Sequence, residues 1–329
     1  MIIVTGGAGF IGSNLVRGLN QRGLDNILVV DDLSDGNKVR NIESCDIEDY
    51  MDKDEFLSRI QQGLEFGGPS AIYHQGACSD TMETDGRLIM ETNYEYSKAL
   101  FRYCTDQSIP FIYASSASVY GGNQVFKEET QYEQALNAYA YSKLLFDRYV
   151  RKHRGSSTAQ VVGLRYFNVY GAGEQHKNRM ASVAYHFYNQ FCENGVVKLF
   201  EGSGGYDAGE QLRDFVWIND VVDVNLHFLR HPEINGIFNV GTGRAQSFND
   251  VATAVLNTMA NEQKTTADWI KDGKISYVEF PPALRGKYQS YTKADLTNLT
   301  MDADYSESFA TVEEGVAQYV KQLQAADAL

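Results

Sequence analysis

The run Thr5-Gly6-Gly7-Ala8-Gly9-Phe10-Ile11-Gly12 leaves this chain few choices of fold. It follows directly on Ile2 to Val4, an apolar stretch that reads as a buried strand. It opens the stretch Ile11 to Leu19, which reads as a helix. Gly6, Gly9 and Gly12 stand three apart, and glycines there allow a tight turn and close approach of backbone to a pyrophosphate. The helix start adds unpaired N–H groups and a partial positive charge. A glycine pattern alone is weak evidence. Here an acidic pair, Asp31-Asp32, ends the next apolar strand, Ile27 to Val30, where a carboxylate meets an adenosine ribose in a dinucleotide site. A carboxylate there favours NAD over NADP. Lys38 offers a partner for a 2′-phosphate, although its plain reading is a solvated loop lysine, so spacing leaves both cofactors open. Asp46-Ile47 is expected on the third strand, within reach of the adenine edge. Gly76-Ala77, after the short strand Ala71 to Tyr73, brings backbone to the cofactor again.

The alternation continues. A helix is expected from Leu88 to Cys104, a strand over Phe111 to Ala114, a helix around Tyr139 to Val150 and a strand over Val161 to Leu164. Strands alternating with helices imply parallel strands joined by crossovers, hence an α/β fold of the Rossmann type, a doubly wound parallel sheet. After about Gly171 the rhythm breaks into polar and Gly-rich segments that read as ligand-facing loops or as plain surface connections. Residues 1–170 are therefore expected to form the dinucleotide-binding domain and 171–329 mainly a smaller C-terminal α/β substrate-binding domain, with 215–258 partly returning to the first. A chain of 329 residues suits that division.

The formal net charge of −14 argues against nucleic acid or an anionic membrane surface as main partner. It leaves a phosphate-bearing small molecule open, since a site needs only local positive charge. Cys45, Cys78, Cys104 and Cys192 form no CxxC pair and read as reduced thiols of a cytoplasmic protein. No signal peptide or membrane span is expected. The six histidines lack metal spacing, so no metal site is expected.

Tyr139 and Lys143 form a Tyr-x-x-x-Lys pair, which a helix places on one face. A phenol with a pKa of about 10 is a poor base at neutral pH. A neighbouring ammonium and an oxidised nicotinamide both favour the phenolate, so Tyr139 is a plausible acid/base for a hydroxyl undergoing hydride transfer. Ser116, at the end of the preceding strand, is in sequence to hydrogen-bond the same oxygen. The bland alternative is a half-buried helical tyrosine. Glycine loop, serine segment and this pair, in that order, are far more specific than any one of them.

On these residues the chain resembles the extended short-chain dehydrogenase/reductase family along nearly its whole length. The landmarks are TGGAGFIG (5–12), SSASVYG (115–121), YAYSK (139–143), LRYFNVYG (164–171), RDFVWINDV (213–221) and FNVGTG (238–243). Within the family, Gln75 to Ser79, His176 to Ser182, Phe200 to Ser203 and Arg285 to Gln289 are similar to the branch acting on ADP-linked heptose. The resemblance implies an isomerase that inverts carbon 6 of an ADP-heptose by transient oxidation with tightly bound NADP, NAD being the alternative. It implies acid/base roles for Tyr139 and Lys177; spacing alone equally allows Lys177 to pair with the ADP phosphates or to be solvated. Cofactor positions implied, besides the glycines Gly6, Gly9 and Gly12, are Phe10, Ile11, Asp31, Asp32, Lys38, Lys53, Gln75, Gly76, Ala77, Cys78, Ser79, Asn93, Lys143 and Val169, with Tyr139 and Lys177. Substrate positions implied are Asn168, Arg179, His186, Phe200, Glu201, Gly202, Ser203, Arg213 and Tyr288, with Ser116. Asp32 departs from the uncharged residue expected in an NADP site, and Gly204 to Leu212 is longer than the family pattern. A homopentamer, and a role in supplying heptose for the lipopolysaccharide core of Gram-negative bacteria, also follow from the resemblance. The competing readings are a nucleotide-sugar 4-epimerase or dehydratase on the same scaffold and a non-catalytic NAD(P)-sensing regulator. Ala117 and Ser118, in place of an acidic pair after Ser116, weigh against the dehydratase, and retention of Tyr139 and Lys143 weighs against the regulator.

Overall fold

The computed structural model describes residues 1–155, 157–281 and 289–327. β1 (Ile2–Thr5) gives way at Gly6 to α1 (Phe10–Asn20), and β2 (Ile27–Asp31) returns beside β1. β3 (Asp49–Asp52), α2 (Lys53–Gln61) and β4 (Ala71–His74) follow. α3 (Gly86–Ile89) runs through a wide π-turn over Met90–Glu95 into α4 (Tyr96–Asp106), so the helix expected from Leu88 is interrupted at its start. β5 (Phe111–Ser116), α5 (Ala138–His153) and β6 (Val161–Tyr166) continue the alternation. Beyond them lie β7 (Asn168–Tyr170), α6 (Val183–Asn194), β8 (Val197–Phe200), β9 (Leu212–Arg213), β10 (Phe215–Trp217), α7 (Ile218–Arg230) and β11 (Gly236–Val240). β12 (Gln246–Ser247), α8 (Phe248–Ala260), α9 (Thr266–Lys271), β13 (Ile275–Val278), α10 (Thr297–Met301) and α11 (Val312–Asp327) complete the described chain.

The central sheet has seven strands in the order β3-β2-β1-β4-β5-β6-β11, every pair parallel. Helices cover both faces, which is why β1, β2, β4 and β6 are buried at every position and lack alternation. One core joins α1, α7, α8 and α11 to the sheet; the other joins α2, α4 and α5. The strand order reverses between β1 and β4, and a crevice opens at the carboxyl ends of strands at such a point. β3 is the edge. Only Met51 is buried there, so the strand begins three residues after the Asp46 assigned to it from sequence. Asp46 lies instead in an exposed connection held by the side chain of Asn20, and neither Asp46 nor Ile47 borders the crevice.

Past β6 the chain builds three two-stranded pieces: parallel β7–β10, parallel β8–β13 and antiparallel β9–β12. It also returns to the main sheet through α7, which packs on α1, and through β11. Gly18 makes the helix contact close: a Cβ there would lie 2.5 Å from Cγ1 of Val222. No described helix is long and apolar enough to cross a membrane.

Candidate active site

The crevice is a cavity of about 930 Å³ at the carboxyl ends of β1, β4, β5 and β6. Its nucleotide end is shaped by absent side chains. Gly6 has φ +67, and a Cβ on it would lie 2.5 Å from the backbone nitrogen of Gly76; a Cβ on Gly12 would lie 2.0 Å from the Gly6 carbonyl oxygen. α1 starts after Gly9 with no side-chain cap, which leaves the N–H groups of its first turn for a ligand. This uncapped terminus in a cradle without β-carbons fits a dinucleotide pyrophosphate.

Asp31 is buried at the end of β2 and already occupied. Its Oδ2 accepts the Ala8 N–H at 2.8 Å, and its Oδ1 accepts the Asp32 N–H at 2.7 Å and the Lys38 ammonium at 3.0 Å. Lys38 borders the cavity and also donates to the Asp32 carbonyl at 2.8 Å. Asp32 and Lys53 stand outside the cavity wall. Hydrogen bonds from Ser34 hold the Asp32 carboxyl below its usual range, and Lys53 pairs with Asp54 at 2.8 Å. Gln75 to Ser79 form the wall after β4, and Val169 lines it from β7. Asn93 acts from behind: fully buried in the π-turn, its amide accepts the Cys78 N–H at 2.8 Å and donates to the Cys78 carbonyl at 3.0 Å.

Ser116, Tyr139 and Lys143 come together at the ends of β5 and α5. The Asn137 side chain caps α5 by accepting the Ala140 N–H at 2.8 Å, which fixes where Tyr139 enters the first turn. The Tyr139 phenol lies beside Ser116, and the Ser116 oxygen receives the Ser118 hydroxyl at 2.9 Å. Lys143 donates to the Ala114 carbonyl at 2.8 Å. Burial pushes the Tyr139 phenol above its ordinary value, partly offset by Ser116. Helical spacing predicts that Lys143 and an oxidised nicotinamide together lower it; in the chain by itself desolvation prevails, with one N–H of the lysine donated to a carbonyl. Burial pulls Lys143 down to about 8 against the opposing charge of Asp147 one turn later. Asp147 anchors a buried network behind the serine: it accepts from Tyr113 at 3.0 Å, Ser115 at 2.9 Å and Arg165 at 2.9 Å. Arg165 also pairs with Glu133 and lies over the Tyr120 ring.

The segment Gln175–Met180 also lines the cavity, through His176 to Met180. The Lys177 ammonium sits 5.4 Å from the centre of the Phe10 ring, and burial lowers its pKa while Glu174 raises it. Arg179 turns outward and pairs with Asp80 at 2.6 Å, both residues bordering the cavity. Asn168 also lines it. The other expected substrate residues lie outside this wall. His186 is half-buried on α6 beside Tyr185. Phe200 packs on Phe280 with ring centres 5.6 Å apart, and the Gln211 amide donates to the Glu201 carbonyl at 3.1 Å and Ser203 at 3.2 Å, with Gly202 between them. Arg213 is buried with its guanidinium 5.7 Å from the Phe248 ring centre, one shell behind the cavity that Phe248 itself borders. Tyr288, with Arg285 to Lys287, lies outside the described residues. Sequence reasoning missed Asp80, Phe215 and Phe248 in the wall; only the position of Asp80 beside Ser79 pointed to it. Lys38, Lys143, Lys177 and Arg179 outnumber Asp31 and Asp80 in the wall, so the cavity is locally basic in an acidic chain.

A glycine cradle at the switch point of a parallel sheet, facing a tyrosine–serine–lysine cluster, defines a nicotinamide-dependent sugar-nucleotide enzyme. Residues 2–241 match the model of the NAD dependent epimerase/dehydratase family, and the chain belongs to that family. It is 56% identical, over 325 residues and 98% of both chains, to the ADP-L-glycero-D-manno-heptose-6-epimerase of Thiobacillus denitrificans. Among solved structures it is similar to the ADP-L-glycero-D-manno-heptose-6-epimerase of Helicobacter pylori, with a TM-score of 0.82, 29% identity, and 98% and 96% of the two chains covered. It is also similar to the UDP-glucose 4-epimerase of Thermotoga maritima with UDP-glucose, with a TM-score of 0.79, 26% identity, and 99% of both chains covered.

Proposed function

We propose that the chain interconverts ADP-D-glycero- and ADP-L-glycero-β-D-manno-heptose by inverting carbon 6. The observation that carries this reading is that Tyr139 with Ser116 and Lys177, each able to exchange a proton, line one cavity. The 56%-identical relative supplies the substrate. A carbinol carbon is not acidic, so inversion needs transient oxidation to a planar ketone that is reduced from its other face. A bound nicotinamide supplies a reversible acceptor and donor of hydride. The chain's own groups manage the proton. The sugar oxygen occupies two positions in turn; the Tyr139 phenol exchanges its proton in one, and the Lys177 amine in the other. Ser116 hydrogen-bonds that oxygen. Asn168 and Arg179, which border the cavity, are the proposed substrate residues together with His186, Phe200 to Ser203, Arg213 and Tyr288.

Tightly bound NADP is the proposed cofactor, with NAD the alternative. Lys38 already compensates the Asp31 charge, which favours a second phosphate nearby, and Lys53 adds positive potential beside Asp32. Residues 1–170 would bind the cofactor and 171–329 mainly the substrate, with 215–258 shared. A cytoplasmic homopentamer serving lipopolysaccharide core heptose synthesis completes the reading.

Purified protein given ADP-D-glycero-β-D-manno-heptose without added cofactor is expected to form the L-glycero epimer, read by NMR. Tyr139→Phe and Lys177→Met are each expected to slow the reaction by about 10²–10⁴-fold while retaining bound cofactor. Turnover of UDP-glucose in place of the heptose would move the chain to the 4-epimerases.

A further inference from the structure

The loop that carries Lys177 is closed by one buried carboxylate. Glu174 is fully buried. Its Oε1 accepts the Gly171 N–H at 3.3 Å and the Ser182 hydroxyl at 2.7 Å, and its Oε2 accepts the Ser182 N–H. One side chain thus ties both ends of the segment together. The three groups bonded to it are all donors, and the buried Tyr319 hydroxyl lies beside it as well, so a glutamine in its place would turn an NH₂ toward at least one of them.

Between the ends, Asn178 has φ 49 and ψ −123. A side-chain-bearing residue held there costs about 1–3 kcal/mol and persists only where the surroundings over-determine it. The kink separates two opposite directions: Lys177 points in toward Phe10, and Arg179 points out to Asp80. Two asparagines brace the segment from the nucleotide side. Asn14 donates to the Ala172 carbonyl at 2.8 Å, and Asn41 donates to the Gly173 carbonyl at 3.1 Å and to Ala8 of the glycine turn at 3.0 Å. Among the described residues no carboxylate lies within ion-pair distance of the Lys177 ammonium, and Glu174 is the one whose field acts on it.

We propose that Glu174 is the positioning residue for Lys177: its clasp of Gly171 and Ser182 enforces the Asn178 kink that aims the ammonium into the cavity. This rests on the reading of Lys177 as a proton-transfer group. Glu174 never meets substrate, so its effect passes wholly through the lysine. A collapse of the fold would act on every step; loss of aim acts only where Lys177 acts.

The test is a double-mutant cycle on kcat with ADP-D-glycero-β-D-manno-heptose, together with cofactor content and KM. Glu174→Gln is expected to lower kcat about 10–100-fold with KM and bound nucleotide retained. In the Lys177→Met background the same change is expected to add less than about 2-fold. Ser182→Ala keeps the carboxylate and removes one donor from the clasp, so it gives a smaller loss that also vanishes in that background; it serves where Glu174→Gln does not fold. Losses that multiply in the double variant, or a Glu174→Gln enzyme with unchanged kcat, overturn the proposal. A fully active Lys177→Met overturns instead the reading of Lys177 and takes the role of Glu174 with it.

Discussion

Acid is expected to unfold this chain through His74. The residue is wholly buried on β4, one position before the cavity wall begins. The Ser97 hydroxyl donates to the Asn93 carbonyl at 2.6 Å, so its oxygen must accept from Nε2 of His74 at 2.8 Å. Nδ1 then accepts from the Thr5 hydroxyl at 2.6 Å. Both ring nitrogens are satisfied only in the neutral ring. Burial, assisted by the charge of Lys143, pulls the imidazole pKa down to about 3. In the unfolded chain it returns to about 6.5. The unfolded state therefore binds a proton that the folded state refuses, and stability complete above about pH 6.5 is lost as pH falls toward 3. At pH 5 the separation is about 1.5 pH units, which at 1.36 kcal/mol each gives about 2 kcal/mol from this one ring. Urea denaturation reads it, followed by fluorescence of the buried Trp217 and Trp269 at pH 7.5 and pH 5.0. The drop in unfolding free energy for the parent chain is expected to exceed that of His74→Gln by about 2 kcal/mol, other titrating groups cancelling in the comparison. Equal drops in the two proteins would refute the reasoning.

Lys143, with its pKa near 8, carries its positive charge below that pH and loses it above. Lys143 lines the cavity that an anionic nucleotide sugar must enter, so kcat/KM is expected to fall through a single ionisation near pH 8 as that charge is lost; Lys143→Arg, which keeps its charge, should abolish the alkaline limb, and an unchanged limb would assign the ionisation elsewhere. Gly12→Ala sets a methyl 2.0 Å from the Gly6 carbonyl oxygen and is expected to destabilise the turn by about 1–3 kcal/mol and strip the protein of bound nucleotide, read by absorbance after denaturation. Parental cofactor content in that variant would remove the steric argument.

Features legible in the sequence are those in which a few neighbouring residues decide the outcome. The turn from β1 into α1 needs glycines at 6, 9 and 12 whatever the rest of the chain does, and Tyr139 and Lys143 share a face because α5 is a helix. The fully buried strands announced themselves as apolar runs. β3 did not, because an edge strand with one buried residue, Met51, carries too little apolar signal to separate it from the connection before it. The π-turn over Met90–Glu95 was equally invisible, since it places Asn93 against Cys78 through a backbone widening that has no residue signature. Long-range pairs escaped altogether. Arg179 with Asp80 and Arg165 with Asp147 are joined by the sheet order, and nothing in the residues themselves names the partner. The raised Tyr139 phenol escaped for the same reason: burial, which opposes the phenolate, depends on everything packed around α5 and not on the lysine four residues on.

The position of β11 sets a timetable for synthesis. The strand that flanks β6 and the helix that covers α1 both come from residues after 217. When a ribosome has released only the first 170 residues, β6 is an open edge and the face of α1 around Gly18 has nothing against it. Open edges and bare apolar helix faces are what holdase chaperones bind and what neighbouring nascent chains pair with. A stall between Tyr170 and Val240 would thus leave a nucleotide-binding half rich in its own signature motifs but prone to aggregate, until β11 emerges and covers β6.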